Sequence, residues 1–257
     1  MRIQPASSEH PSGYQFGISG DQIVINDISL GGRSSYSVSL PIPVSSSNDT
    51  VFQTLLLPRV TKLFEGYNSF LVVFGAPKTG KAHTFYGTGT GVDKKGIIEY
   101  TCDAIFDEIR RNSSDEFFVT VSVFQLLQRT LTDLLNPGPR DTLVIEDHRI
   151  CGAYLQGLAE LEIKSSEEAM VYIQQARGVQ DLLSRRSTTL GAPHVFIDIR
   201  VESHMASSSI IKQGLLRVAL LAGTSGVSMQ VAFFRDNCAA AVKDENFFVC
   251  ISRLTRG

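Results

Sequence analysis

The segment with the clearest chemical meaning is Gly75-Ala76-Pro77-Lys78-Thr79-Gly80-Lys81-Ala82, which directly follows the apolar run Phe70–Phe74. It matches the phosphate-binding pattern G-x-x-x-x-G-K-S/T at every position but the last, and it stands in the strand-then-loop context that the pattern requires. Glycines at 75 and 80 let the backbone curl so that successive N–H groups point at phosphate oxygens. Lys81 would reach the terminal phosphates as a point charge. The final hydroxyl of the pattern normally ligates Mg²⁺, and Ala82 has no oxygen to offer. Lys78 can add charge near the phosphates or stand as an exposed loop lysine, and His83 is a loop residue at the same site. On the octapeptide alone, a glycine-rich turn without chemistry stays open as the alternative.

Other chemistry finds little support. Gly223-Thr224-Ser225-Gly226-Val227 misses the nucleophile-elbow pattern G-x-S-x-G by one position. His10, His83, His148, His194 and His204 are dispersed, and none has the partner four residues away that a helical metal site needs. Cys102, Cys151, Cys238 and Cys250 show no CxxC or Cys/His ligand spacing, so they read as reduced thiols and no metal site is expected. With 24 Lys plus Arg against 26 Asp plus Glu, the net charge is −2, which argues against nucleic acid, a membrane surface or an acidic polymer as the default partner. No apolar run approaches the ~18 residues of a membrane span, and Met1–His10 lacks a basic-then-apolar leader pattern. A soluble cytoplasmic protein is expected.

These residues must be positioned by regular elements, and the periodicities supply them. Residues 1–12 and 41–49 are loop-rich. Asp21–Asn26 alternates as a short strand with Ile23 and Ile25 on one face. Val51–Glu65 carries apolar residues at helical spacing, with Asp49 as its N-cap, Pro58 as a bend and Gly66 as its end. Phe70–Phe74 suits a buried strand, and Gly75–Gly91 reads as a glycine-rich loop region. Ile98, Cys102, Ile105 and Ile109 make 96–111 an amphipathic helix. Val119, Val121 and Val123 alternate as a strand, and Phe117-Phe118 and Phe247-Phe248 read as core. Lys94-Lys95 reads as a solvated loop tip. Ser165 with Glu168 forms a capping-box pattern ahead of a helix striped by Ala169, Tyr172, Ile173 and Ala176. Val195–Val201, Leu215–Ala222 and Phe247–Ile251 are further strands. With strands and helices interleaved and no internal repeat, the expectation is a single α/β domain over 1–257, with helices packed on a central, mostly buried sheet.

The segments Phe64-Glu65-Gly66-Tyr67-Asn68, Val73-Phe74-Gly75, the loop itself and His83-Thr84-Phe85-Tyr86-Gly87 together resemble the kinesin motor domain, whose members read roughly L-x-G-Y-N-x-x-x-x-A-Y-G-Q-T-G-S-G-K-T-x-T-M-x-G. Gly96-Ile97-Ile98 with Ile105-Phe106, Val121-Ser122-Val123 through Asp133-Leu134-Leu135, and Glu146-Asp147 with Gly152, Tyr154 and Gly157-Leu158 follow in the family's order. Arg2 and Pro5 sit where the family's opening R-x-R-P contacts the adenine. The resemblance implies a P-loop NTPase-type motor fold, with helices on both faces of the sheet and ATP or ADP at the loop.

The departures from the family pattern form a consistent set. Its first switch, N-x-x-S-S-R-S-H, aligns with Ser187–His194, where Ala192 replaces the arginine and His194 survives. A shift of a few residues would instead bring Ser184, Arg185, Arg186 and Ser187 into that region. Its second switch, D-L-A-G-S-E, aligns with Leu220–Ser225: Gly223 is kept, the metal-linked acid is Leu220 and the glutamate is Ser225. By this alignment Mg²⁺ is held poorly, nucleotide binding is weak or vestigial, and hydrolysis is inefficient. After the second switch only Gly226–Gln230 precedes Val231–Phe234, so the helical block that meets microtubules in the family is reduced or absent. The expectation is a kinesin-like pseudo-motor: a non-motor subunit or interaction module of a microtubule-based, cytoskeletal assembly, with a cytoskeletal or kinesin-associated protein partner and doubtful microtubule binding. The alternative is a divergent microtubule-dependent motor ATPase. A decayed chain that does not fold is countered by the intact strand periodicities.

Overall fold

The structure, a computed structural model, describes residues 14–27, 31–43, 45–75, 79–112, 115–127, 130–138, 143–148, 152–186, 192–204 and 211–222. Residues 1–13, the strand expected over Phe247–Ile251 and the stretch after Ser225, where a reduced helical block is expected, lie outside the described residues.

The chain opens with a three-stranded antiparallel sheet, β1 (Tyr14–Ser19), β2 (Gln22–Asp27) and β3 (Arg33–Ser37). The helical stretch anticipated over 51–65 is two helices, α1 (Asn48–Leu55) and α2 (Leu57–Phe64), broken at Leu56. Pro58 explains the break, because near the start of α2 its missing N–H costs no intrahelical bond. The N-cap of α1 is Ser47 rather than Asp49: Ser47 Oγ accepts from Thr50 N–H at 3.2 Å, and Asp49 sits in the first turn. Next come β4 (Ser69–Val73), α3 (Lys81–Tyr86) and α4 (Ile97–Arg111). Thus 75–91 is not all loop, since α3 is built into it.

The remaining elements are β5 (Glu116–Leu127), β6 (Thr130–Asp133), the hairpin β7 (Val144–His148) and β8 (Gly152–Gln156), β9 (Leu161–Glu162), α5 (Ser166–Arg186), β10 (His194–His204) and β11 (Ile211–Leu220). Half of the capping box forms as anticipated: Glu168 N–H donates to Ser165 Oγ at 3.2 Å, but Glu168 Oε2 accepts from the N–H of Lys164 at 2.7 Å, one residue before the cap. α5 continues through Ser184 and Arg185, so neither residue lies in the segment that leads into β10. Two local readings are corrected by contacts. Phe118 is 46% exposed and meets His204 edge-on, while Phe117 packs on the core. Lys95 is no free loop tip, because its ammonium bridges Asp103 at 2.6 Å and Glu99 at 3.3 Å.

The central sheet has six strands in the order β4-β11-β10-β5-β6, with β9 also on β5; β4 and β11 run parallel and the other pairs antiparallel. Alternation along each strand gives it two apolar faces. One carries Val119, Val121, Val123, Val195, Ile197, Ile199, Leu216 and Val218, and every described helix packs there, through residues such as Phe52, Leu63, Phe85, Ile105 and Ile173. The other carries Phe124, Phe196 and Ala219, covered in part by Leu131, Leu143 and the β7–β8 hairpin residues Ile145 and Leu155. On this second face Arg217 holds Asp198 with two bonds of 2.7 and 2.6 Å and lies over the Phe124 ring. Asp133, the acid of the Asp-Leu-Leu motif, is structural: its buried carboxylate accepts from the N–H groups of Leu135, Asn136 and Ala159.

Helices and sheet meet most closely at Gly214 of β11, where any Cβ would collide with the Leu63 carbonyl oxygen of α2. Gly214→Ala is therefore expected to destabilise the fold by about 1–3 kcal/mol. Calorimetry should show Tm lowered by about 2–4 °C per kcal/mol; an unchanged Tm would mean that the contact is looser than described.

Candidate functional site

β4 and β11 are parallel neighbours with Val73 opposite Leu220, and Leu221 N–H continues the pairing to Val73 O at 2.9 Å. Both chains therefore leave the sheet side by side at the carboxyl ends of parallel strands, which is where open α/β sheets place ligands. One exit leads into the glycine-rich loop and the other towards Gly223.

The described part of the loop has phosphate-loop geometry. Gly75 has φ +154°, and a Cβ there would press on Thr79 Oγ1 at 3.0 Å, so the loop closes on itself. Gly80 adopts the left-handed conformation, φ +78°, as it turns into α3, a conformation open to glycine at no steric cost. Lys81 Nζ donates to Gly75 O at 2.9 Å, so the ammonium lies across the loop, and burial lowers its pKa. Ala82 is exposed on the first turn of α3, where the pattern's hydroxyl would stand. Lys78, Pro5, Gly223 and Ser225 lie outside the described residues.

A set of contacts that the sequence did not flag fixes the helix after the loop. Asn48, fully buried at the start of α1, donates from Nδ2 to His83 O at 3.1 Å and to Lys95 O at 3.0 Å, and its own N–H donates to Asp93 Oδ1 at 2.7 Å. It thus ties α1, α3 and the start of α4 together. Gly87 and Gly96 touch backbone to backbone, leaving no room for a Cβ at either. His83 Nε2 lies 3.6 Å from Asp93 Oδ2. Arg177 of α5 stacks over the Tyr86 ring at 4.7 Å, and burial pushes the Tyr86 phenol up to about 12 against the opposing pull of Arg177. Asn48 fell in a stretch read only as a polar break, and nothing in its residue type marked it as a clamp.

The switch positions are also joined. His194, buried as the first residue of β10, accepts from Ala222 N–H at Nδ1 over 3.0 Å, which requires the tautomer protonated on Nε2. Ala192 is exposed two residues before it. Leu220 turns towards the helical layer and packs on the main core. In the same cross-sheet row, after Val195, stands Gln125, whose buried Oε1 has no hydrogen-bond partner among the described residues.

The donor set does not fit a Mg²⁺ ion. Ala82 presents a methyl group, Leu220 is apolar and packed against the core, and among the described residues no group of three or more His, Cys, Asp or Glu is gathered to hold a metal. The loop glycines and Lys81 do fit a phosphate. Because Asn48 holds the helix that carries Lys81, Asn48→Ala should leave two carbonyls short of a donor and cost about 1–3 kcal/mol. Hydrogen exchange over 81–96 should accelerate in that variant. Unchanged exchange there would show that the glycine contact alone holds α3.

The family model described as kinesin motor domain matches residues 29–237. Kinesin-like protein 3 of Schizosaccharomyces pombe is 28% identical over 187 residues, covering 72% of this chain and 33% of that protein. Human kinesin-like protein KIF13B is 31% identical over 126 residues, covering 48% of this chain and 7% of that protein. Klp68D of Drosophila melanogaster is 26% identical over 193 residues, covering 75% of this chain and 24% of that protein. The chain thus spans a third or less of the length of these relatives. Among solved structures, one described as a fast kinesin, with implications for ATPase mechanism and interactions with microtubules, matches with a TM-score of 0.80 at 22% identity over 88% of this chain and 66% of that one. At that identity the likeness is one of fold. With the family match covering most of the chain, the chain belongs to the kinesin motor-domain family.

Proposed function

We propose that this chain is a kinesin-like pseudo-motor: a single motor-type domain over 1–257 that serves as a non-motor subunit or interaction module of a microtubule-based assembly. It holds ATP or ADP weakly through Gly75, Lys78, Thr79, Gly80 and Lys81, with His83 and Pro5 towards the base. The observation that carries the reading is Leu220. At the end of β11, level with Val73, the position of the family's metal-linked acid is a half-buried apolar side chain packed against the core. Phosphoryl transfer rests on positioning and charge stabilisation by metal and polar groups. Here Ala82 and Leu220 remove the metal's ligands, and Ala192 and Ser225 remove both halves of the arginine–glutamate pair that closes the family's site. Losing one oxyanion donor costs ~10²–10³ in rate and losing an arginine-type contact ~10³–10⁵. Together these losses leave no useful hydrolysis.

The retained loop supports weak nucleotide binding without metal. In a titration with fluorescent ADP, affinity should be the same within about twofold with and without Mg²⁺. Lys81→Ala should weaken binding by about tenfold or more, since a hydrogen bond to a charged group contributes about 1.5–3 kcal/mol. Affinity that rises steeply with Mg²⁺ would contradict the reading.

The second reading, a divergent microtubule-dependent motor ATPase, draws on the left-handed Gly80 and on Lys81 at the loop. Against it stand the five residues Gly226–Gln230 in place of a microtubule-facing block and a net charge of −2 opposite an acidic filament. Co-sedimentation separates the two. The pseudo-motor shows equal microtubule affinity with ADP, with a non-hydrolysable ATP analogue and without nucleotide, whereas a motor shows affinity that changes with the nucleotide state.

A further inference from the structure

On the outer side of the helical layer, away from the phosphate loop, α1 and α2 face α4 across an open groove of about 460 Å³. That volume falls within the range of sites that hold ligands or anchor side chains. The helices touch where the Phe52 ring stacks on Tyr100, centroids 5.6 Å apart, and the space beyond that contact is open. Its two walls differ in chemistry. One wall presents Leu57, 37% exposed, together with Gln53 and Thr61, while its Phe52 and Val60 are almost fully buried. The α4 wall presents Asp103, Asp107 and Glu108, with Arg111 at the far end.

The arrangement of these carboxylates favours an incoming cation. Asp103 and Asp107 stand four residues apart on one helix face, as do Glu99 and Asp103, and like charges at that spacing weaken a helix taken alone. Asp103 is held by Lys95 and Ser166, whereas Asp107 pairs at the surface with Arg110 and Glu108 with Arg111, Glu108 also accepting from Asn112 Nδ2 at 2.9 Å. Exposed pairs three residues apart contribute little, so a partner's cation can replace them. The groove follows α4 from Tyr100 to Arg111, about 16 Å at 1.5 Å per residue, which matches two to three turns of another helix.

We propose that this groove is the docking site for a basic amphipathic helix of a partner protein. The partner's apolar stripe packs on Leu57, the apolar side chain that this wall exposes, and its Lys or Arg residues face Asp103, Asp107 and Glu108. A second copy of this chain paired through the same groove would set carboxylates against carboxylates, so charge selects a different, basic partner. The site stands whether or not the phosphate loop turns over nucleotide, because no residue of the loop lines it.

The test is fluorescence anisotropy on the full chain with a labelled 16-residue synthetic helix bearing Leu at i, i+3, i+4 and i+7 and Lys on both flanks. Its counterpart with Glu in place of every Lys is titrated in parallel. The Lys peptide should bind saturably at one site, more weakly as salt rises, and the Glu peptide should bind at least tenfold more weakly. Asp107→Asn/Glu108→Gln should weaken the Lys peptide about tenfold, and Leu57→Ser should weaken it independently of salt. A control that removes acids elsewhere, Glu65→Gln/Glu116→Gln, should leave it unchanged, with circular dichroism confirming that every variant is folded. The proposal is overturned by absence of saturable binding, by equal binding of the two peptides, or by a control variant that loses as much affinity as the groove variant.

Discussion

The parallel pairing of β4 with β11 is the constraint on which the rest of this molecule depends. Setting Val73 opposite Leu220 delivers two loops from distant parts of the chain to one edge of the sheet, and only there can a phosphate loop and a sensing loop face the same ligand. Everything around that edge keeps the pairing in place. β10 braces β11 along its whole length, the α2 carbonyl at Leu63 seats against Gly214, and Ala222 N–H is held by His194 just past the last paired residue. The described part of the scaffold that brings the two loops together is therefore held from several sides.

The glycines at 80, 87 and 96 stand where a left-handed turn or a close backbone approach leaves no room for a side chain, and the buried Asn48 satisfies two carbonyls. The positions changed are those whose family side chains would act on metal or phosphate and contribute little to packing. Leu220 goes further, since it exchanges a carboxylate, costly to hold beside an apolar core without a metal, for a side chain that adds to that core.

The long periodic elements could be read in the sequence because their burial is one-sided. Ile98, Cys102 and Ile105 mark α4, the alternating valines mark β5 and β10, and Ser165 with Glu168 marks the start of α5. The octapeptide located the phosphate loop for the same reason, as its glycines answer to local backbone geometry. The helix break at Leu56, the short α3 hidden among glycines, and the strands β1, β3 and β6 to β9 were not legible, because each is too short for a period to show. Asn48 could not be found at all. Its role arises from where three distant carbonyl and carboxylate groups converge, which no residue type or spacing records. Phe118 was misjudged because it shares the second face of the sheet with Phe124, and that face is covered only farther along β5.

The central claim is that a motor-family fold here carries no working hydrolytic site. The most direct measurement is steady-state phosphate release from ATP in the presence of Mg²⁺ and polymerised microtubules. The account predicts release indistinguishable from that of the Lys81→Ala variant under the same conditions. Turnover that requires Mg²⁺, rises with microtubule concentration and disappears in that variant would contradict it.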